Sequence, residues 1–170
     1  MKKILFVGST LFVTLIFLIG CSLSNTPTSK VEELFSKYQK LDKDIEGEID
    51  DLLASETLTE DQKDRYRKVI ENQYKKLTYE IKDEKIDGDN AVVTTQIEVL
   101  DYRKAISELN TDDQTNFDVL EYNNQKLDKL EKVKEKVVYT LEINVVKDSK
   151  GNWKLSNLTS DDIKKIQGMY

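Results

Sequence analysis

The chain has 170 residues with 26 basic and 32 acidic side chains, one cysteine, one proline and no histidine. Without histidine there is no imidazole base, no imidazole metal ligand and no serine–histidine or cysteine–histidine nucleophile pair, so carboxylates, lysines, tyrosines and hydroxyls remain for any chemistry. One cysteine allows neither an internal disulfide nor a cysteine cluster for zinc or iron–sulfur, and neither a metal nor any other cofactor is expected.

Residues 1–20 read as an export leader: Lys2 and Lys3 precede an apolar run from Ile4 to Ile19 broken only by Gly8, Ser9, Thr10 and Thr14. The run is shorter than the roughly 20 apolar residues of a spanning helix and stops at a small residue, which favours export over a permanent span. Leu18-Ile19-Gly20-Cys21 then resembles the bacterial lipobox. The resemblance implies cleavage between Gly20 and Cys21 and a diacylglycerol thioether on Cys21, which becomes the mature N-terminus. A lone thiol at the end of the apolar region, without a disulfide partner, is consistent with that. An ordinary secretory signal and an uncleaved anchor are the alternatives.

Removing residues 1–20 leaves 24 basic against 32 acidic groups, a net charge of −8 on 150 residues. A domain of that size can bury one core without disulfides. Its acidity disfavours nucleic acid and anionic headgroups, so membrane attachment is expected through the Cys21 lipid, on the extracytoplasmic face of the cell membrane. Residues 22–28, SLSNTPT, carry no charge and the only proline, as a flexible tether would, and the domain is expected to run over residues 29–170.

Ser29-x-x-Glu32 has the form of a capping box. Behind it Val31, Leu34, Phe35, Tyr38, Leu41, Ile45, Ile49 and Leu52 recur at helical steps, predicting one long helix loosened at Gly47. Thr59-x-x-Gln62 opens a second helix with Tyr66, Val69, Ile70, Tyr74 and Leu77 on one face. The period then becomes two: Leu77, Tyr79 and Ile81, the turn Asp87-Gly88-Asp89-Asn90, and Val93, Thr95, Ile97 and Val99 predict a β-hairpin. Helical spacing returns over residues 101–136 in two pieces around a polar break at 110–116. Val137, Tyr139, Leu141, Ile143 and Val145 form a strand, residues 148–152 a turn into Trp153 and Leu155, and Thr159-x-x-Asp162 caps a last helix with Ile163, Ile166 and Met169 inward. The expected fold is α+β: an N-terminal helical hairpin packed on a curved antiparallel sheet of about four strands, with a short C-terminal helix.

The segment GNWKLSNLTSDDIKKIQGMY at residues 151–170 resembles the end of small Gram-positive envelope lipoproteins with an NTF2-like or cystatin-like domain. There a strand with tryptophan after a glycine turn leads into Leu-Ser/Thr-x-x-Asp and a final Lys-Ile-x-Gly-Leu/Met-Tyr helix. The similarity covers roughly the last 35 residues and is architectural over the remainder. It implies a helix-backed curved sheet in families largely without assigned activity. Enzymes of the NTF2-like superfamily often use histidine and aspartate in a cone-shaped pocket, and the absence of histidine argues against carrying that catalysis over to this chain.

Five groups of residues have chemical potential. Asp42, Glu46 and Asp50 stand at four-residue spacing, a column that suits a hard cation or a solvated acidic face. The run DEKIDGDN at 83–90 superficially suggests a calcium loop, but Lys85 stands at the third ligand position and Thr94 where the closing glutamate belongs, so a hairpin turn is expected. Residues 147–152 are read the same way. Tyr66, Tyr74, Tyr79, Tyr102, Tyr139 and Trp153 suit either a pocket lining or plain core. Lys126, Lys129, Lys132, Lys134 and Lys136 surround Leu127, Leu130 and Val133, as a partner or polyanion surface or an ordinary mixed-charge helix.

The expected function is that of a membrane-anchored extracytoplasmic lipoprotein acting as a non-catalytic binding module, with an envelope protein or small molecule as partner and no nucleic acid. Two alternatives stand beside it: a carboxylate hydrolase of cell-wall glycan, which needs no histidine, and a leader that yields a peptide pheromone from residues 13–20, VTLIFLIG.

Overall fold

The computed structural model describes residues 25–107, 109 and 118–170. The predicted leader, the lipobox Leu18, Ile19, Gly20 and Cys21, and the polar break at 110–116 lie outside the described residues.

The first helix, α1 (Pro27–Lys40), begins ahead of the predicted Ser29 because the capping box is formed by Thr26 and Ser29. The Thr26 hydroxyl accepts from Ser29 N at 3.1 Å and the Ser29 hydroxyl from Thr26 N at 3.1 Å. Ser29 is therefore the third helical residue, and Pro27 sits at the first, where its missing N–H costs no bond. Residues 25–28, expected in the tether, are part of the domain: Asn25 Oδ1 accepts from Trp153 N at 2.9 Å, and the Thr28 hydroxyl donates to Glu84 Oε2 at 2.6 Å.

The long helix expected through residue 52 is two helices. Leu41 takes a left-handed conformation (φ 51°, ψ 56°), with Asp42 N donating to Lys37 O and Leu41 N to Tyr38 O, both at 3.1 Å, which is a Schellman closure without glycine. Asp42 then caps α2 (Lys43–Ser55), accepting from Asp44 N and Ile45 N at 3.2 Å. Gly47 is unremarkable helix interior. The Thr59–Gln62 box opens α3 (Glu60–Lys76) as predicted.

A four-stranded antiparallel meander follows in the order β1-β2-β3-β4, made of β1 (Thr78–Asp87), β2 (Asn90–Leu100), β3 (Lys136–Lys147) and β4 (Trp153–Leu155). Between β2 and β3 lie α4 (Tyr102–Ser107) and α5 (Val119–Leu130), and α6 (Ser160–Ile166) ends the chain. The helical stretch expected to reach residue 136 stops at Leu130, because Lys136 pairs with Leu100 and is already strand.

The sheet is covered on one face. Ala91, Val93, Thr95, Ile97 and Val99 of β2 and Leu141, Ile143 and Val145 of β3 point inward and are buried, whereas Val138, Thr140, Glu142, Asn144 and Val146 point outward and are exposed. Along α1, Val31, Phe35 and Tyr38 bury almost completely against the inner face. A bulge between Ile81 and Asp83 flips the register of β1, so that Glu84 and Ile86 join the inner side. Ile163, expected inward, is 39% exposed, while Ile166 is buried at 1%. A seven-residue helix presents only one turn to the core, and Ile166 occupies it.

A second, smaller core of Val69, Leu100, Tyr102 and Leu130 joins α3, α5 and the end of β2. Gln62 stitches α3 to α5, its Nε2 donating to Leu120 O at 3.0 Å and Asn124 Oδ1 at 2.9 Å.

Candidate binding groove

The acidic column does not assemble as a ligand set. Asp42 is spent as a helix cap, Asp50 pairs with Arg67 across to α3, and Lys37 lies 3.2 Å from Asp44 and 3.9 Å from Asp42. Desolvation, then the like charges of Asp42 and Asp44, lift the neighbouring Glu48 carboxyl above its ordinary value. Among the described residues, no cluster of carboxylates could hold a metal ion.

The segment at 83–90 is the end of β1 and its turn, where Gly88 takes φ 60° and Lys147 Nζ lies 3.3 Å from both Gly88 O and Asp89 Oδ1. The turn at 148–152 is closed by its own aspartate: Asp148 Oδ1 accepts from Lys150 N at 2.8 Å and Asn152 N at 3.0 Å. Both are turns.

The aromatic residues are structural. Phe35 stacks on Tyr79 at 4.8 Å between centroids, and Tyr38 meets Tyr74 edge-on at 4.9 Å. Tyr66, Tyr74 and Tyr102 converge on a cavity between the two cores of only about 20 Å³, room for a single water. Tyr102 is held by its hydroxyl, which donates to Val69 O at 2.9 Å. Burial pushes the phenols of Tyr66 and Tyr102 up to about 12.

The lysine series at 126–136 is divided by the end of α5. Lys126 lies 5.5 Å from the Tyr66 ring centre, and Lys136 pairs with Glu98 at 2.6 Å. Lys132 and Lys134, on the connection from α5 to β3, instead face α3 across an open groove of about 600 Å³. Lys68, Asn72 and Lys76 of α3 form the facing wall, and Tyr102 is also part of the lining. Lys129 and Lys132 line a contiguous depression of about 300 Å³.

Two facts make this groove electropositive on an acidic protein. Lys68, Lys76, Lys132 and Lys134 make no ion pair among the described residues. The carboxylates beside them are engaged from behind: Arg65 Nε donates to Glu131 Oε1 at 2.8 Å, and its Nη2 donates to Glu131 Oε2 at 2.9 Å and Asp128 Oδ1 at 2.6 Å. That fork holds the Glu131 carboxyl below its ordinary value and the guanidinium above its own. Lys104 pairs with Glu135 at 2.5 Å on the outer rim.

Lys68 and Lys76 were not singled out by the sequence. The available signal was a row of polar residues at four-residue spacing, Lys68, Asn72 and Lys76, on an otherwise ordinary helix.

Comparison with protein-family models, curated proteins and solved structures finds no match to this chain.

Proposed function

We propose that this chain is a membrane-anchored envelope lipoprotein whose α+β domain is a non-catalytic binding module of NTF2-like or cystatin-like architecture. The observation that carries the reading is the docking of Asn25. Its side chain holds the β3–β4 turn, with Nδ2 donating to Asn152 Oδ1 at 3.3 Å and Oδ1 accepting from Trp153 N, only four residues after Cys21. Four residues span at most about 14 Å, so a lipid on Cys21 would hold this end of the sheet close to the bilayer. Strand β2 runs away from that end for eleven residues, about 33 Å, and the lysine groove lies beyond its far end. A lipid on Cys21 would thus leave the groove at the end of the domain away from the bilayer, which suits a binding module. Asp42, Asp118 and Asp162 serve at helix caps and Asp50, Asp128 and Glu131 in ion pairs, and the buried polar side chains are Gln62, Gln73 and Thr95 among the described residues.

Metabolic labelling with an alkyne fatty acid, combined with membrane fractionation of wild type and Cys21→Ser, tests the anchor. The wild type is expected to be labelled and membrane-bound, and Cys21→Ser unlabelled and not retained as a mature lipoprotein. An unlabelled wild type, or a labelled variant, overturns the proposal.

A further inference from the structure

We infer that the groove between α3 and the α5–β3 connection is a binding site for a multivalent, phosphate-bearing anion. Its cationic groups are all lysines, because the nearby guanidinium of Arg65 is consumed by Asp128 and Glu131. Ammonium groups act as point charges that meet the oxygens of a tetrahedral phosphate from any direction, whereas planar carboxylates are matched best by the arginine fork.

The spacing sets the valence. Lys68 and Lys76 are eight residues apart on α3, about 12 Å along the helix, too far for one phosphate to bridge. Lys132 and Lys134 face them from the other wall, so the four charges suit two or more linked phosphates lying along the groove. The volume of about 600 Å³ is that of a small-molecule site and admits such a chain. Asn72 adds a polar side chain to the lining. With a net charge of −8 outside the leader, the chain as a whole does not attract polyanions, so the attraction has to come from a local cluster of lysines.

The phosphates could belong to a free chain or to lipid headgroups. The position of the groove, at the end of the sheet away from Asn25, favours the free chain, and this preference alone rests on the Cys21 anchor.

The test is calorimetric titration of the full chain in a neutral detergent with sodium tripolyphosphate, with orthophosphate, and separately with phosphatidylglycerol vesicles. Tripolyphosphate is expected to bind the wild type, more weakly as salt rises, and orthophosphate far less well. Lys68→Gln with Lys134→Gln should lower that affinity about tenfold or more, while Lys30→Gln with Lys154→Gln, beside the opposite end of the sheet, should leave it within about threefold. Circular dichroism of each variant confirms folding. No binding by wild type, equal losses in both double variants, or binding to vesicles alone overturns the inference. The lipidation of Cys21 is read in the same sample by mass, so failure of the anchor and failure of the groove are distinguishable.

Discussion

The side-chain amide of Gln73 holds both polar groups of the Leu100 backbone, its Nε2 donating to Leu100 O at 3.1 Å and its Oε1 accepting from Leu100 N at 2.9 Å. Gln73 is 1% exposed, so α3 completes the hydrogen bonding of β2 where the sheet ends and the second core begins. Gly168 closes over the same carbonyl: it stands at φ +68° in a Schellman turn, with Met169 N bonded to Lys164 O at 2.8 Å and Gly168 N to Lys165 O at 3.0 Å. Arg103 N donates to Gly168 O at 2.8 Å, which joins α4 to the same knot.

Gln73→Leu would strand a buried N–H and a buried C=O, and is expected to cost about 2–4 kcal/mol in urea denaturation. Gly168→Ala should cost more than about 3 kcal/mol, because a Cβ there would overlap Leu100 O and Gln73 Nε2 and the backbone is left-handed. The double variant should lose less than the sum, since both changes act on one carbonyl. Strict additivity would show that the two contacts are independent.

Thr95 is the opposite case. It is fully buried in the centre of β2 and its Oγ1 has no hydrogen-bond partner among the described residues. Thr95→Val preserves shape and removes the unpaired hydroxyl, so a gain of about 1 kcal/mol is expected from the same denaturation measurement. A loss would mean that the hydroxyl is satisfied in solution.

Arg65→Gln removes the fork that engages Glu131 and Asp128 beside the groove. Stability should fall by no more than about 1 kcal/mol, the range of exposed pairs. Tripolyphosphate affinity should nevertheless fall, because two freed carboxylates then oppose the lysines. Unchanged affinity in calorimetry would show that Arg65 has no electrostatic bearing on the groove.

Stability against pH should form a broad plateau, since the chain has no histidine to titrate inside it. On the acid side, backbone N–H bonds from Asn152 and Lys150, with Lys154 beside it, hold the Asp148 carboxyl down to about 2. Its contribution is complete above the unfolded value of 3.8 and is lost as pH falls through about 2. On the alkaline side, buried Tyr66 and Tyr102 titrate near 12 when folded and near 10 when unfolded, so stability declines from pH 10 upward and their contribution is gone beyond 12. Tyrosinate absorbance followed with circular dichroism should show these phenols ionising together with unfolding. Ionisation well ahead of unfolding would mean that they are hydrated.

The legible parts of the fold were those written in local chemistry. The Thr59–Gln62 and Thr159–Asp162 boxes, the turn at Gly88 and the alternation through Leu141, Ile143 and Val145 all appear where their spacing indicates. The break at Leu41 was not legible, because a leucine in the left-handed region carries no local signal and is held there by the packing of α1 and α2 on the sheet. The start of α1 is ambiguous in the sequence for a related reason: Ser29 can open a capping box or close one, and only Thr26 at the true cap decides between them.

The groove divides in the same way. Charge counts and the lysine-rich series at 126–136 are properties of the chain, and its net acidity, its lack of histidine and its lipobox-like Leu18–Cys21 need no fold to be read. Which lysines share a surface is a tertiary matter. Lys136 enters the sheet, and Lys68 and Lys76 arrive from α3, sixty residues away, to face Lys132 and Lys134. The pairing of Glu131 with Arg65, across 66 positions, adds to the positive balance there. Ion pairing depends on distances of a few ångströms between side chains remote in sequence, and only the packing of α3 against α5 sets those distances.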